Sequence, residues 1–156
     1  LLDDRAPARR HLNTFMQDLE RHQARVEVRL SQGDPATQIV NELAAQLEAQ
    51  LVPPLKVRND LYTDLILTKG RSTLALFEVK SSASLTDIYT AIGQLMYHTA
   101  DRRPPPAHVA VLPDALPADA LARLKRLGLH VCTYRWERGK PVFPNLPRLL
   151  PHLLQD

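Results

Sequence analysis

Three charged residues stand where the surrounding pattern asks for core. Asp64 lies in Thr63-Asp64-Leu65-Ile66-Leu67, and Glu78 and Lys80 end the run Leu74-Ala75-Leu76-Phe77-Glu78-Val79-Lys80. Side chains alternate along a strand, so Glu78 and Lys80 project from one face and Val79 from the other. Adjacent strands lie ~4.8 Å apart, so a register that sets Asp64 beside Glu78 forces two carboxylates together, and they repel unless something positive lies between. Oxygen donors with no His or Cys nearby suit Mg²⁺ or Mn²⁺ better than zinc. A lysine two residues past the second acid reaches the same place, where its ammonium can steady a phosphate oxygen or hold an attacking water. Together these groups have the chemistry of phosphodiester hydrolysis. The same residues also admit a plain reading, with Asp64 a solvated acid on an edge strand and Glu78 and Lys80 a salt-bridged outer face.

The segments around these residues have readable periods. Asp34-Pro35 reads as an N-cap and a first-turn proline. Ala36, Ile39, Val40, Leu43, Leu47 and Leu51 then recur at helical spacing and stop before Pro53. Leu61 to Leu67 and Ser72 to Lys80 are strand-like, and Lys69-Gly70-Arg71 between them signals a hairpin. From Ser84, the expected N-cap, to Asp101 a helix is predicted with Ile88, Ile92, Leu95, Met96 and Thr99 as its buried stripe. Ala107 to Leu112 has the length of a buried strand. Pro117 to Leu127 predicts a helix of Leu121, Leu124 and Leu127 closed by Gly128, and Leu129 to Tyr134 a further strand. Upstream, Leu12 to Leu19 has a helical look and Val26, Val28 and Leu30 alternate, which leaves the class of residues 1–34 open. The sum is an α/β (α+β) sandwich with helices on both sides of a central mixed sheet. It divides into an N-terminal segment at 1–34, a core at 35–140 and a Pro-rich C-terminal tail at 141–156, expected as a peripheral wrap.

Asp64, followed on the next strand by Glu78-Val79-Lys80, resembles the PD-(D/E)xK nuclease superfamily, the restriction-endonuclease-like fold. The expected element order is similar to that family's core of helix, three strands, helix and strand, provided that a third strand lies near Lys56 or in the hairpin. The resemblance covers roughly Pro35 to Tyr134. It implies that Asp64 and Glu78 are metal ligands with the Val79 carbonyl as a third, and that Lys80 positions water and phosphate. It further implies that Glu42, on the helix before the sheet, is the additional acid many members keep. Gln94, in Gly93-Gln94-Leu95-Met96-Tyr97, looks like the glutamine some branches carry on the next helix. Two departures stand out. Thr63 replaces the proline that names the motif, and Tyr97 follows Gln94 by three residues where those branches place a tyrosine at four. The implied activity is a Mg²⁺-dependent (or Mn²⁺-dependent) endonuclease acting on nucleic acid, with DNA the expected substrate. A homodimer is compatible with it, since two strands need two cuts. The competing class is a nucleic-acid-binding or protein-interaction module that keeps this fold and does not cleave.

Taken alone, Glu42 beside Ile39 and Leu43 equally fits a solvated helix residue, and Gln94 beside Gly93 a packing detail. Ser81-Ser82 is as well placed to cap the next helix as to touch a phosphate. His98, His108 and His130 lie in different elements without metal-ligand spacing, so they read as structural. The single cysteine, Cys132, reads as a small buried side chain and excludes an intramolecular disulfide framework.

The whole chain sets the outer bounds. At 156 residues it has the length of about one domain, and its 44% apolar content with a net charge of +3 is that of a globular chain with a core of its own. With 5 Gly and no phosphate-cradling loop, nucleotide-binding loops are excluded. Aromatic residues at 5% argue against a stacking platform for single strands. Basic residues gather at Arg5, Arg9, Arg10, Arg21, Arg25 and Arg29, at Arg102-Arg103, and at Arg123, Lys125 and Arg126. On a nuclease some of them would line a phosphate backbone. No apolar stretch approaches the ~18 residues of a membrane span, so no membrane partner and a cytoplasmic location are expected. Leu1 in place of an initiator Met leads us to expect a mature fragment or an excised domain, with further domains of a longer chain as conceivable partners.

Overall fold

The computed structural model describes residues 14–21, 34–59 and 63–155. The chain divides into two units, Leu1–Asp34 and Pro35–Asp156. In the first, helix α1 covers 14–21 and carries an exposed Arg21–Asp18 pair at 3.8 Å. The alternation of Val26, Val28 and Leu30 lies outside the described residues, as do Leu61 and Tyr62.

The second unit opens with α2 (Pro35–Gln50), whose Pro35 occupies the first turn, where its missing N–H costs nothing. Strands β1 (Leu55–Arg58), β2 (Leu65–Lys69) and β3 (Ser72–Val79) follow as an antiparallel meander. The third strand required near Lys56 is therefore β1. Lys69 pairs with Ser72, which shortens the expected turn to Gly70-Arg71. Gly70 takes the positive φ, 61°, that a first hairpin position of this kind demands. Helix α3 (Leu85–Thr99) then crosses to β4 (Ala107–Pro113), parallel to β3, and α4 (Ala118–Arg126) crosses to β5 (His130–Glu137), parallel to β4. Strand β6 (Lys140–Val142) returns antiparallel to β5, and α5 (Leu146–Leu153) closes the chain. The sheet order is simply β1 to β6. The mixed α/β architecture, a central sheet flanked by helices, agrees with the segments read from the sequence.

The two faces of the sheet are filled unequally. On one, Leu65, Leu67, Ala75, Phe77, Val79, Val109, Val111, Cys132 and Tyr134 pack against Ile39, Val40, Leu43 and Leu47 of α2 and Leu146, Leu149, Leu150 and Leu153 of α5. On the other, Leu76, Ala110, Leu112 and Val131 pack against Ile88 and Leu95 of α3 and Leu124 of α4.

Several expectations need correction. Residues 141–156 are not a peripheral wrap, because β6 extends the sheet and four leucines of α5 enter the larger core cluster. Met96 is exposed and Ala91 is buried in its place, because positions 88, 91, 95 and 99 form the inner stripe of α3 while Met96 lies about 100° further round. Leu127 is exposed as the C-cap of α4. The chain reverses at Gly128 (φ 82°), with Gly128 N–H on the Lys125 carbonyl and Leu129 N–H on the Leu124 carbonyl, so that Leu129 fills the core instead.

Candidate functional site

β2 and β3 set the geometry. Leu65 pairs with Phe77 and Ile66 with Leu76, so extending the antiparallel register by one pair places Asp64 opposite Glu78. Alternation along β3 puts Glu78 and Lys80 on the α3 side with Leu76, and Asp64, one residue before β2, reaches β3 through its carboxylate. The register that the sequence left open is thus the one that sets Asp64 across from Glu78.

Each group is held by an identifiable bond. The β2 ladder ends at Leu65, which would leave the Val79 N–H without a backbone partner; it donates instead to Asp64 Oδ2 at 2.7 Å. On an extended strand a residue turns its N–H and C=O to the same side, so the Val79 carbonyl also faces toward Asp64. Glu78 is only 5% exposed, in a structure whose other buried residues are almost all apolar. Lys80 Nζ donates to Glu78 Oε1 at 2.8 Å and to Gln94 Oε1 at 2.6 Å. A carboxylate this dry is tolerable only when paired and hydrogen-bonded, and Lys80 meets that need. Gln94 is therefore the contact through which α3 fixes the ammonium.

The backbone at Lys80 is pinned from two directions. Its N–H donates to the Val111 carbonyl at 3.0 Å, continuing the β3–β4 ladder, and its carbonyl accepts from the Tyr134 hydroxyl at 2.9 Å. Burial, with the Asp87 charge nearby, pushes the Tyr134 phenol up to about 12, so it remains a donor throughout the physiological range. Asp87 in turn accepts from Ser82 Oγ, and Ser84 Oγ caps α3 by accepting from the Asp87 N–H at 3.2 Å. Ser82 and Ser84 thus shape the turn between Lys80 and α3. Sequence reasoning missed Tyr134. No local signal marks it, because only the parallel order of β3, β4 and β5 brings its strand end beside Lys80.

Other candidates lie elsewhere. Glu42 Oε1 accepts from Gln46 Nε2 at 3.2 Å, one turn along its own helix. Among the described residues no three or more His, Cys, Asp or Glu side chains form a metal-holding group, so Glu42 is not joined to Asp64 and Glu78 in an acidic triad. Tyr97 is exposed and stacks edge-on with His98 at 5.6 Å between ring centroids. His108 Nε2 lies 2.7 Å from Thr99 Oγ1, a packing contact between β4 and α3. Burial pushes the Cys132 thiol up to about 12, which removes it as a nucleophile.

The donor set at Asp64 and Glu78 suits a hard cation in kind. Mg²⁺ is commonly held by one or two carboxylates, completing its shell with water and substrate phosphate oxygens. Comparison of the chain with protein-family models, with curated proteins and with solved structures gave no match.

Proposed function

We propose that this chain is a metal-dependent phosphodiesterase, a nuclease acting on DNA, with its reaction centre at Asp64, Glu78 and Lys80. The observation that carries the reading is the buried Glu78–Lys80 pair on the strand position opposite Asp64. A fold with no use for charge there would place apolar residues, because a buried ion pair gains little or nothing in stability over a hydrophobic pair of similar volume. The resemblance of Asp64…Glu78-Val79-Lys80 to the PD-(D/E)xK pattern, and the order α2-β1-β2-β3-α3-β4, support the same reading.

Asp64, Glu78 and the Val79 carbonyl would hold Mg²⁺ or Mn²⁺, which when bound supplies charge to the scissile phosphate and acidifies a water. Lys80 places its ammonium where charge develops on a non-bridging phosphate oxygen, and the same group orients the incoming water. Gln94 keeps Nζ from swinging into solvent. Tyr134 fixes the main chain from which Lys80 extends, so the ammonium is positioned before substrate arrives. Asp64 has two duties, keeping the Val79 amide satisfied and presenting its carboxylate across from Glu78.

The test is nicking of supercoiled plasmid in Mg²⁺ against EDTA, with wild type, Glu78→Gln and Lys80→Met. Metal-dependent nicking lost in both variants supports the proposal. Nicking that survives both substitutions places the reaction elsewhere, and tight metal-independent DNA binding without cleavage favours the non-cleaving module.

A further inference from the structure

Strand β5 outruns its neighbour. It pairs with β4 only through Tyr134, whereas Arg135, Trp136 and Glu137 pair with Val142, Pro141 and Lys140 of β6 alone. A two-stranded ribbon therefore runs past the rest of the sheet, with Pro141 buried and the Gly139 carbonyl at its tip accepting from Gln38 Nε2 of α2 at 3.1 Å, so that it is held against α2 with Arg135, Arg138 and Lys140 exposed. It does so at the carboxyl ends of β3, β4 and β5, the end at which Glu78 and Lys80 stand. Register fixes how far. Val79 is level with Val111 and Cys132, so Lys80 is level with Thr133. Arg135 then lies about 7 Å further along and about 10 Å to the side, with the tip of the ribbon about 10 Å beyond.

Composition and conformation single this ribbon out. Residues 135–142 hold three cations, Arg135, Arg138 and Lys140, against the one carboxylate of Glu137, to which Arg135 is paired at 2.8 Å. Trp136 is 44% exposed and packs edge-on against Tyr134, the residue that holds the Lys80 carbonyl. Arg135, Glu137 and Lys140 alternate onto the sheet face that carries Glu78 and Lys80. At the tip, Arg138 and Gly139 both have positive φ, 51° and 78°. A two-residue turn of this kind favours Asn, Asp or Gly at its first position, and an arginine there is held against its backbone preference. A strained residue in an exposed turn points to selection for its side chain.

We infer that the β5–β6 hairpin is a phosphate-contacting arm that lays duplex DNA across the Glu78–Lys80 centre, with Arg138 and Lys140 on the backbone of the strand beyond the scissile bond. This rests on the nuclease reading for its choice of ligand. A DNA strand carries one charge per about 3.4 Å of helix axis, so a ribbon that spans roughly 7–17 Å beyond Lys80 meets phosphates about two to five nucleotides from the cut.

The test is equilibrium binding of a fluorescein-labelled 20-base-pair duplex in EDTA, read by anisotropy across a salt series. The variant is Arg138→Gly with Lys140→Gln. The glycine relieves the turn, so thermal melting should show no loss of folding. Each lost phosphate contact lowers the slope of log affinity against log salt by about 0.9, so the double variant should lose about 1.8 in slope and roughly 10- to 60-fold in affinity at 0.1 M salt. A matched change on α4, Lys125→Gln with Arg126→Gln, should move the slope less. An unchanged slope in the hairpin variant, an equal fall in both variants, or a wild type that does not bind the duplex overturns the inference. If the slope falls as expected while Mg²⁺-dependent nicking is absent, the arm stands and the cleavage reading fails. If nicking is present and the slope is unmoved, the arm alone fails.

Discussion

The two faces of one sheet are used in opposite ways. Among the described residues the α2 and α5 face buries a cluster of eighteen apolar side chains and the α3 and α4 face one of eight. Neighbouring residues of β3 divide between them: Phe77 and Val79 enter the larger cluster, while Glu78 turns its charge to the other side. A sheet that draws most of its hydrophobic stabilisation from one face can carry a costly buried ion pair on the second. The stabilising face and the polar face are then separable by mutation.

The largest effect should come from the apolar side. Phe77→Ala opens a cavity in a fully buried position and should cost about 3–5 kcal/mol, read as a loss of denaturant midpoint with any DNA-cleaving activity falling only in step with the folded fraction. If activity fell much further than folding, the two faces would not be separable.

Next in size is the ion pair. Lys80→Met removes the ammonium paired with a Glu78 carboxylate that is nearly water-free and should cost about 3 kcal/mol, whereas the double variant Glu78→Gln with Lys80→Met should recover most of that stability and none of the activity. Equal losses in the single and the double variant would mean that the pair is not energetically coupled.

Asp64 is the sharper probe, because its two duties respond differently to chemistry. Asp64→Asn keeps an acceptor for the Val79 N–H and should cost about 1 kcal/mol or less, while Asp64→Ala orphans that amide and should cost about 1–3 kcal/mol. Both should abolish metal-dependent nicking. An active Asp64→Asn enzyme would reduce Asp64 to a strand cap.

The smallest effect is a pH dependence. Burial, with the charge of His130 adding, holds His108 below its ordinary value, and burial with His152 nearby does the same to His130. The folded protein thus disfavours protons that the unfolded chain takes up near 6.5. Stability is fully present above pH 6.5, falls as pH drops through 6.5 toward the lower folded values, and levels off below them. Melting temperature followed from pH 8 to pH 5 should show that decline, and His108→Gln should flatten part of it.

Much of this was legible in the sequence, for a local reason. Alternation, a positive-φ glycine and a helix cap act within a few residues, so the β2–β3 hairpin, the Ser84 cap and the shared face of Glu78 and Lys80 follow from spacing, whereas the register that sets Asp64 opposite Glu78 does not. The C-terminal helix was hidden by its prolines. Pro147 and Pro151 read as breakers, yet Pro147 sits in the first turn, where it costs no bond, and Leu146, Leu149, Leu150 and Leu153 keep the helical stripe. Tyr134, fifty-four residues from Lys80, was out of reach because only the parallel pairing of β3, β4 and β5 brings the two strand ends together. Glu42 shows the reverse, a residue type in the right helix whose hydrogen bond goes to Gln46.

The most direct test of the shared site is a Mn²⁺ titration by calorimetry, in the presence of a non-cleavable phosphorothioate duplex, of wild type, Asp64→Asn and Glu78→Gln. One Mn²⁺ displaced by Mg²⁺ in the wild type, and lost in both variants while their folding is retained, is the predicted result. Identical Mn²⁺ binding in all three proteins, or none in the wild type, would contradict the account.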